Sequence, residues 1–174
     1  MRLTKMGHAC VRLEKDGRIL VIDPGTLTEP EALDGAEAVL ITHEHFDHVE
    51  LSRVKIAAER TPQLEIWTTS AVAKQLEGIG ANVHAVGRGD SFDAAGFDVS
   101  VFGELHAVVN PAWPRVANVG FLIDGGTFHP GDAYIVARGQ RGNPPPADQR
   151  ALAEGARTHR LRGGACASPR LLRA

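Results

Sequence analysis

Short apolar runs, broken at intervals by glycine, proline and charge, organise the first 135 residues of this chain. Residues 2–6 and 10–14 alternate apolar and polar positions and are predicted as paired strands. Lys15-Asp16-Gly17-Arg18 reads as a hairpin turn, because Asp-Gly readily takes positive φ. Residues 19–22 are apolar throughout, a buried strand ended by Asp23-Pro24-Gly25. Residues 31–34 read as a short helical or turn segment, and residues 39–42 as a second buried strand. Leu51–Arg60 carries apolar residues at 51, 54, 56, 57 and 58, which fits a helix stopped by Pro62. Residues 64–68 predict a strand. Ser70 is the expected N-cap of a helix over 71–76, which Gly78 and Gly80 end. Residues 83–86, Phe97–Phe102 and residues 119–123 complete the predicted strands. Hairpins come first and helices then alternate with strands, a pattern that by itself gives only α/β or α+β.

The second buried strand delivers the most informative segment, Thr42-His43-Glu44-His45-Phe46-Asp47-His48. Within six residues it supplies three imidazoles and an Asp carboxylate, ligand types that hold Zn²⁺. A loop at the end of a buried strand can aim several side chains into one cavity. A polar surface loop is the bland alternative, and three histidines with an Asp in this order argue against it.

Four further segments share the chemistry: Gly7-His8-Ala9-Cys10, Ile22-Asp23-Pro24-Gly25, Gly103-Glu104-Leu105-His106-Ala107 and Phe128-His129-Pro130-Gly131-Asp132. With the His-x-His-x-Asp-His spacing, this series resembles the metallo-β-lactamase-like hydrolases, in particular their small, general metal-dependent members. The resemblance covers residues 1–135 and implies an αββα sandwich, an α/β (α+β) fold, altered in its C-terminal part. It implies a hydrolase in which His43, His45 and His106 hold one ion, Asp47 and His48 a second, and Asp132 bridges them. Asp47 and Asp132 are then the carboxylates of the catalytic centre. A carboxylate can span two ions, and neutral imidazoles suit zinc. Two zinc ions are expected, with a single ion, or Mn²⁺ or Fe²⁺, as alternatives. A hydroxide on those ions would attack an ester, amide, lactone or phosphodiester of a small molecule. Asp23 and His8 are expected to stand behind the ligands and orient them. A turn cap (Asp23) and a packed strand histidine (His8) are the bland readings. His129 and His84 are not expected to bind metal. Trp113, in Asn110-Pro111-Ala112-Trp113-Pro114, is either a cleft wall or an exposed loop aromatic.

The tail departs from the family. Its usual last histidine, roughly fifty residues after the bridging Asp, has no good match. His159 follows no apolar strand. Residues 136–174 carry eight Arg and no Lys against Asp148 and Glu154, a net +6, so the preceding residues hold −8 of the total −2. This Arg/Gly/Pro/Ala-rich stretch is expected to be poorly ordered. Such a composition is what a frameshift in a GC-rich gene yields, and reading the other frames for an apolar strand and a histidine tests that. Without the family's second half, apolar surface and a strand edge stay uncovered, which predicts self-association. A relative that binds metal without turnover is therefore the alternative reading. A nuclease ranks lower, since the acidic body is a poor match for nucleic acid. A di-iron oxygen-reducing relative would carry Glu where His45 stands.

A length of 174 residues fits one domain, and 43% hydrophobic with 23% charged residues reads as globular. There is no run of about 18 apolar residues to span a membrane, and the N-terminus lacks a signal-peptide core. Cys10 and Cys166 form no C-x-x-C pair. A reduced, cytoplasmic location is the expectation.

Overall fold

The computed structural model describes residues 1–137. His159 and all but the first two residues of the expected tail lie outside them, as do the expectations of poor order and of a frameshifted segment.

Two sheets pack face to face. The first has six strands in sequence order: β1 (Arg2–Lys5), β2 (Val11–Lys15), β3 (Arg18–Ile22), β4 (Ala38–Ile41), β5 (Glu65–Thr68) and β6 (Asn82–Ala85). β1, β2 and β3 pair antiparallel, and β3 to β6 run parallel. The second sheet is antiparallel, in the order β10-β9-β8-β7, from β7 (Ser91–Ala94), β8 (Phe97–Phe102), β9 (Gly120–Ile123) and β10 (Thr127–His129). Helices α1 (Leu51–Arg60) and α2 (Ser70–Gln75) cover the outer face of the first sheet.

Period-2 alternation sorts the strand side chains between two cores. Leu20, Ile22, Leu40 and Trp67 face the second sheet and meet Phe97, Val99, Phe121 and Ile123. Val21, Val39, Ile41 and Ile66 point the other way, against Val54, Ala58, Val72 and Leu76 of the helices. β4 is buried at every position because both of its faces are covered, and its sequence is accordingly an unbroken apolar run. Burying one such side chain contributes about 1.5–3 kcal/mol.

The fold is the α/β class expected. The αββ layers of the sandwich lie within the described residues, and no helix among them covers the outer face of the second sheet. Three details differ from the sequence reading. The N-cap of α2 is Thr69 rather than Ser70, and its side chain makes no cap bond; burial of Val72 and Leu76 holds this short helix instead. β7 and β10 were not predicted as strands. Both are short and acquire their conformation from pairing across the Ala95-Gly96 and Asp124-Gly125 turns, whose residues all have positive φ. Among the described residues no helix is long and apolar enough to cross a membrane.

Two measurements check this packing. Lys15 donates to Asp124 at 2.8 Å, and the Asp98 N–H donates to the other Asp124 oxygen at 3.0 Å. Partial burial would raise the Asp124 carboxyl, but these bonds and the Lys15 charge outweigh it and hold the pKa below its usual value. A depressed carboxyl stabilises the fold above its unfolded pKa and loses that contribution as pH falls through the folded one. Asp124→Asn should therefore slightly lower the melting temperature at pH 7, with the difference vanishing near pH 2; an equal gap at both pH values would contradict the pairing. Cys10 is fully buried, and desolvation pushes its thiol up to about 12. In a Cys166→Ser background, iodoacetamide at pH 8 should label Cys10 only after denaturation, as read by mass spectrometry.

Candidate metal centre

All the candidate ligands sit on loops that leave the carboxyl ends of strands. The β1–β2 loop carries His8, the turn after β3 carries Asp23, and the loop after β4 carries residues 43–48. The segment after β8 carries His106, and the one after β10 carries Asp132. The twisted sheets bring these five loops together at one end of the sandwich. The nearest ligand atoms of His43, His45 and His106 lie within 4.8 Å of one another, as do those of His43, His48 and Asp132, and those of His8, Asp47 and His48.

Asp23 underlies the arrangement. It has no solvent exposure. Its Oδ1 accepts the Thr42 N–H at 2.7 Å, and its Oδ2 accepts the Thr42 hydroxyl and the His48 Nδ1–H, each at 2.7 Å. Burial works to raise the Asp23 carboxyl. The His48 hydrogen bond, the nearby His129 and His48 and the Thr42 N–H prevail, so it stays ionised well below its usual range. His48 is pulled upward in turn: desolvation opposes its charge, but the Asp23 bond and the surrounding carboxylates outweigh it. His43 moves the other way, down to about 4, through burial and then the neighbouring His48. At neutral pH its imidazole is uncharged and has a lone pair to offer.

Ring orientation is fixed from behind. His48 gives its Nδ1–H to Asp23, and His106 gives its Nδ1–H to the Ala107 carbonyl at 2.7 Å. Both Nε2 atoms then point into the cavity, buried and without a hydrogen-bond partner. Asp132 presents one oxygen to each, Oδ1 at 3.2 Å from His48 Nε2 and Oδ2 at 3.3 Å from His106 Nε2. Two buried imidazole nitrogens facing the two oxygens of one carboxylate form a poor set of contacts by themselves. They are a good donor set for divalent cations, which satisfy all four atoms at once. The residues therefore fit the metal that the sequence series implies.

The structure places the remaining sequence candidates as follows. His8 is not in a strand. It sits in the β1–β2 turn with φ +33, and its Nε2 lies 2.8 Å from Asp47 Oδ2. His129 bonds the Ala9 carbonyl through Nε2 and accepts the Gly131 N–H at Nδ1, which lies 3.7 Å from Asp23 Oδ2; it belongs to none of the ligand groups. His84 stacks on Trp67 from the edge strand β6 and belongs to none of the ligand groups. Trp113 is exposed, yet lines a cleft with His45, His106, Val109, Pro114 and Val116.

Of the further residues that position the site, Asn118 and Arg115 gave no sequence signal, and Gly25 was marked only as part of the turn after β3. A Cβ on Gly25 would lie 2.0 Å from the Asp47 carbonyl oxygen and 2.6 Å from the His48 nitrogen, so only glycine lets the ligand loop pack there. Buried Asn118 donates to the Pro130 carbonyl at 2.9 Å and accepts the Asp132 N–H at 3.0 Å, holding the Asp132 turn. Arg115 donates to the His106 carbonyl at 2.6 Å. Thr42 stood in the motif, and the expectation that Asp23 orients the ligands from behind was the only hint of this support.

Comparison with known proteins bears on the same residues. The model of the beta-lactamase superfamily domain matches residues 2–142. Protein Rv0786c of Mycobacterium tuberculosis is 35% identical over 142 residues, covering 78% of this chain and 66% of that protein. A UPF0173 metal-dependent hydrolase of Methanosphaerula palustris is 32% identical over 143 residues, covering 78% of this chain and 62% of that one. The chain thus spans under two thirds of the length of these curated relatives. Among solved structures, a Parabacteroides distasonis protein has a TM-score of 0.59 at 22% identity, over 74% of this chain and 59% of its own. Igni18, a metallo hydrolase of Ignicoccus hospitalis, has a TM-score of 0.55 at 23% identity, over 78% and 62%. At that identity the two structures establish the fold alone.

Removing the support should cost both stability and metal. Asp23→Ala leaves His48 without its buried counter-charge and should destabilise the fold by about 3–5 kcal/mol. Gly25→Ala should push the loop at 47–48 aside and weaken zinc binding by about 10–100-fold. Denaturant melts and equilibrium dialysis read the two effects, and unchanged zinc affinity in Gly25→Ala would contradict the packing.

Proposed function

This chain belongs to the beta-lactamase superfamily, and from that premise we propose that it is a metal-dependent hydrolase of small molecules, using zinc at the cluster around Asp132. The observation that carries the reading is the pair of buried Nε2 atoms of His48 and His106, which make no hydrogen bond and face the two oxygens of Asp132. In this reading His43, His45 and His106 would hold one ion, and Asp47, His48 and Asp132 would contribute to a second position. Three imidazoles together favour zinc over the harder divalent cations, with Mn²⁺ and Fe²⁺ as the competing choices. When bound, such ions supply Lewis acidity, lowering the pKa of water and polarising a carbonyl or phosphoryl oxygen.

The chain's own side chains supply the rest. His43 is uncharged at neutral pH and binds without first losing a proton. Asp23 and the Ala107 carbonyl fix the tautomers of His48 and His106, so neither ring must reorganise as charge develops. Asp47 is held ionised, burial being outweighed by backbone hydrogen bonding, the His48 charge and the bond to His8. Beside His45 and His106, the cleft walled by Val109, Trp113, Pro114 and Val116 receives an apolar part of the substrate. Its volume is about 130 Å³. That is below the roughly 300–1,000 Å³ of pockets that enclose drug-sized ligands, so it holds one group rather than a whole substrate. An ester, amide, lactone or phosphodiester of a small molecule is the substrate class that suits this site.

Elemental mass spectrometry of the purified chain, followed by a screen of chromogenic esters, lactones, amides and phosphodiesters, tests the proposal. Bound zinc is expected, with turnover abolished by a chelator and reduced at least about 100-fold in His106→Ala. Zinc without turnover would favour the reading of a metal-binding relative that does no catalysis. No bound metal at all would overturn both.

A further inference from the structure

We infer that the His8 imidazole is itself a metal ligand and completes the second cation position with Asp47 and His48. The inference rests on the hydrolase reading above and extends it to a residue that the sequence placed behind the ligands.

Three observations carry it. First, His8 Nε2 lies 2.8 Å from Asp47 Oδ2, and its ring stands edge-on to His48, 5.6 Å between centroids. Two ligand atoms each about 2.0–2.2 Å from a zinc ion stand roughly 3–3.5 Å apart at tetrahedral angles. The His8–Asp47 separation is therefore close to that of neighbouring ligands. Second, the group contains a buried nitrogen that makes no hydrogen bond. His48 is 2% exposed, and its Nε2 lies 3.2 Å from Asp132 Oδ1 and 4.0 Å from the same Asp47 oxygen. The ligand atoms of His8, Asp47 and His48 all lie within 4.8 Å of one another.

Third, the fold holds the backbone at His8 in a strained conformation. A φ of +33 is unfavourable for a residue with a Cβ, and such strain persists where the surroundings impose it. The β1–β2 turn closes through backbone bonds that do not use the imidazole: the Cys10 N–H to the Gly7 carbonyl at 2.8 Å and the Met6 N–H to the Cys10 carbonyl at 2.9 Å. The Glu29 N–H anchors the loop to the Met6 carbonyl at 2.9 Å. The fold thus holds the turn, and the side chain it presents is a half-exposed imidazole against Asp47. Ligation uses that exposure, since an ion must enter from solvent, whereas a merely structural histidine would gain by burial.

The test is metal stoichiometry of the full chain, read by equilibrium dialysis against zinc alone and elemental analysis. Asn tolerates positive φ and removes the imidazole, so His8→Asn is the informative variant. The wild type is expected to hold two ions per chain, His8→Asn one, and His159→Asn two. In ¹⁵N-labelled wild type titrated with zinc, the His8 ring nitrogen should shift with the second equivalent; this readout needs no variant to fold. Two ions retained by His8→Asn, or an unmoved His8 nitrogen, would overturn the inference while leaving the hydrolase reading intact. A wild type holding no zinc would overturn both, and one holding a single ion would overturn the inference alone.

Discussion

One ionised carboxylate in the protein interior, that of Asp23, sets the geometry on which the site depends. A charge with no solvent exposure must be fully satisfied, and here the backbone and hydroxyl of Thr42 and the ring of His48 do so. In satisfying it, they tie the end of β3 to the end of β4 and fix the face that His48 turns to the cavity. The Asp23 N–H also continues the sheet, donating to the Leu40 carbonyl at 2.9 Å. The residue takes φ +51 to do both. Strain at one position is the cost of joining core to site.

From this anchor the support spreads through close backbone approaches rather than large side chains. Gly25 lies against the peptide between Asp47 and His48. Asn118 pins the turn before Asp132. Arg115 holds the His106 carbonyl. Each ligand loop is therefore fixed by a partner from a different part of the chain. The cavity is thus shaped by contacts behind the ligands, so the ligands need not find one another.

The two cores divide the labour. The layer between the sheets fixes β4 against β8 and β9, and so the distance between the loop at 43–48 and His106. The helix layer fixes β4 within its own sheet and leaves the carboxyl ends of the strands free for the loops. Those loops carry every candidate ligand.

The sequence by itself determined the local elements and the chemical vocabulary. The apolar runs at β3 and β4 announced strands buried on both faces, the 3.6-residue spacing of Leu51–Arg60 announced α1, and Asp16-Gly17 announced a hairpin turn. These are short-range consequences of burial and backbone sterics, so they leave a mark on neighbouring residues. The order His43, His45, Asp47, His48, His106, Asp132 was legible as a donor series for the same reason: the residue types are rare together. What only the tertiary structure decided was which atoms meet. Asn118 and Arg115 carry no local pattern, and Gly25 was legible only as a turn former, not as the residue that lets the loop at 47–48 pack. His8 stands 39 positions before Asp47. β7 and β10 exist because β8 and β9 offer them partners. Sequence records what each segment can bury or bond; only the packing of distant segments fixes which lone pair faces which carboxylate.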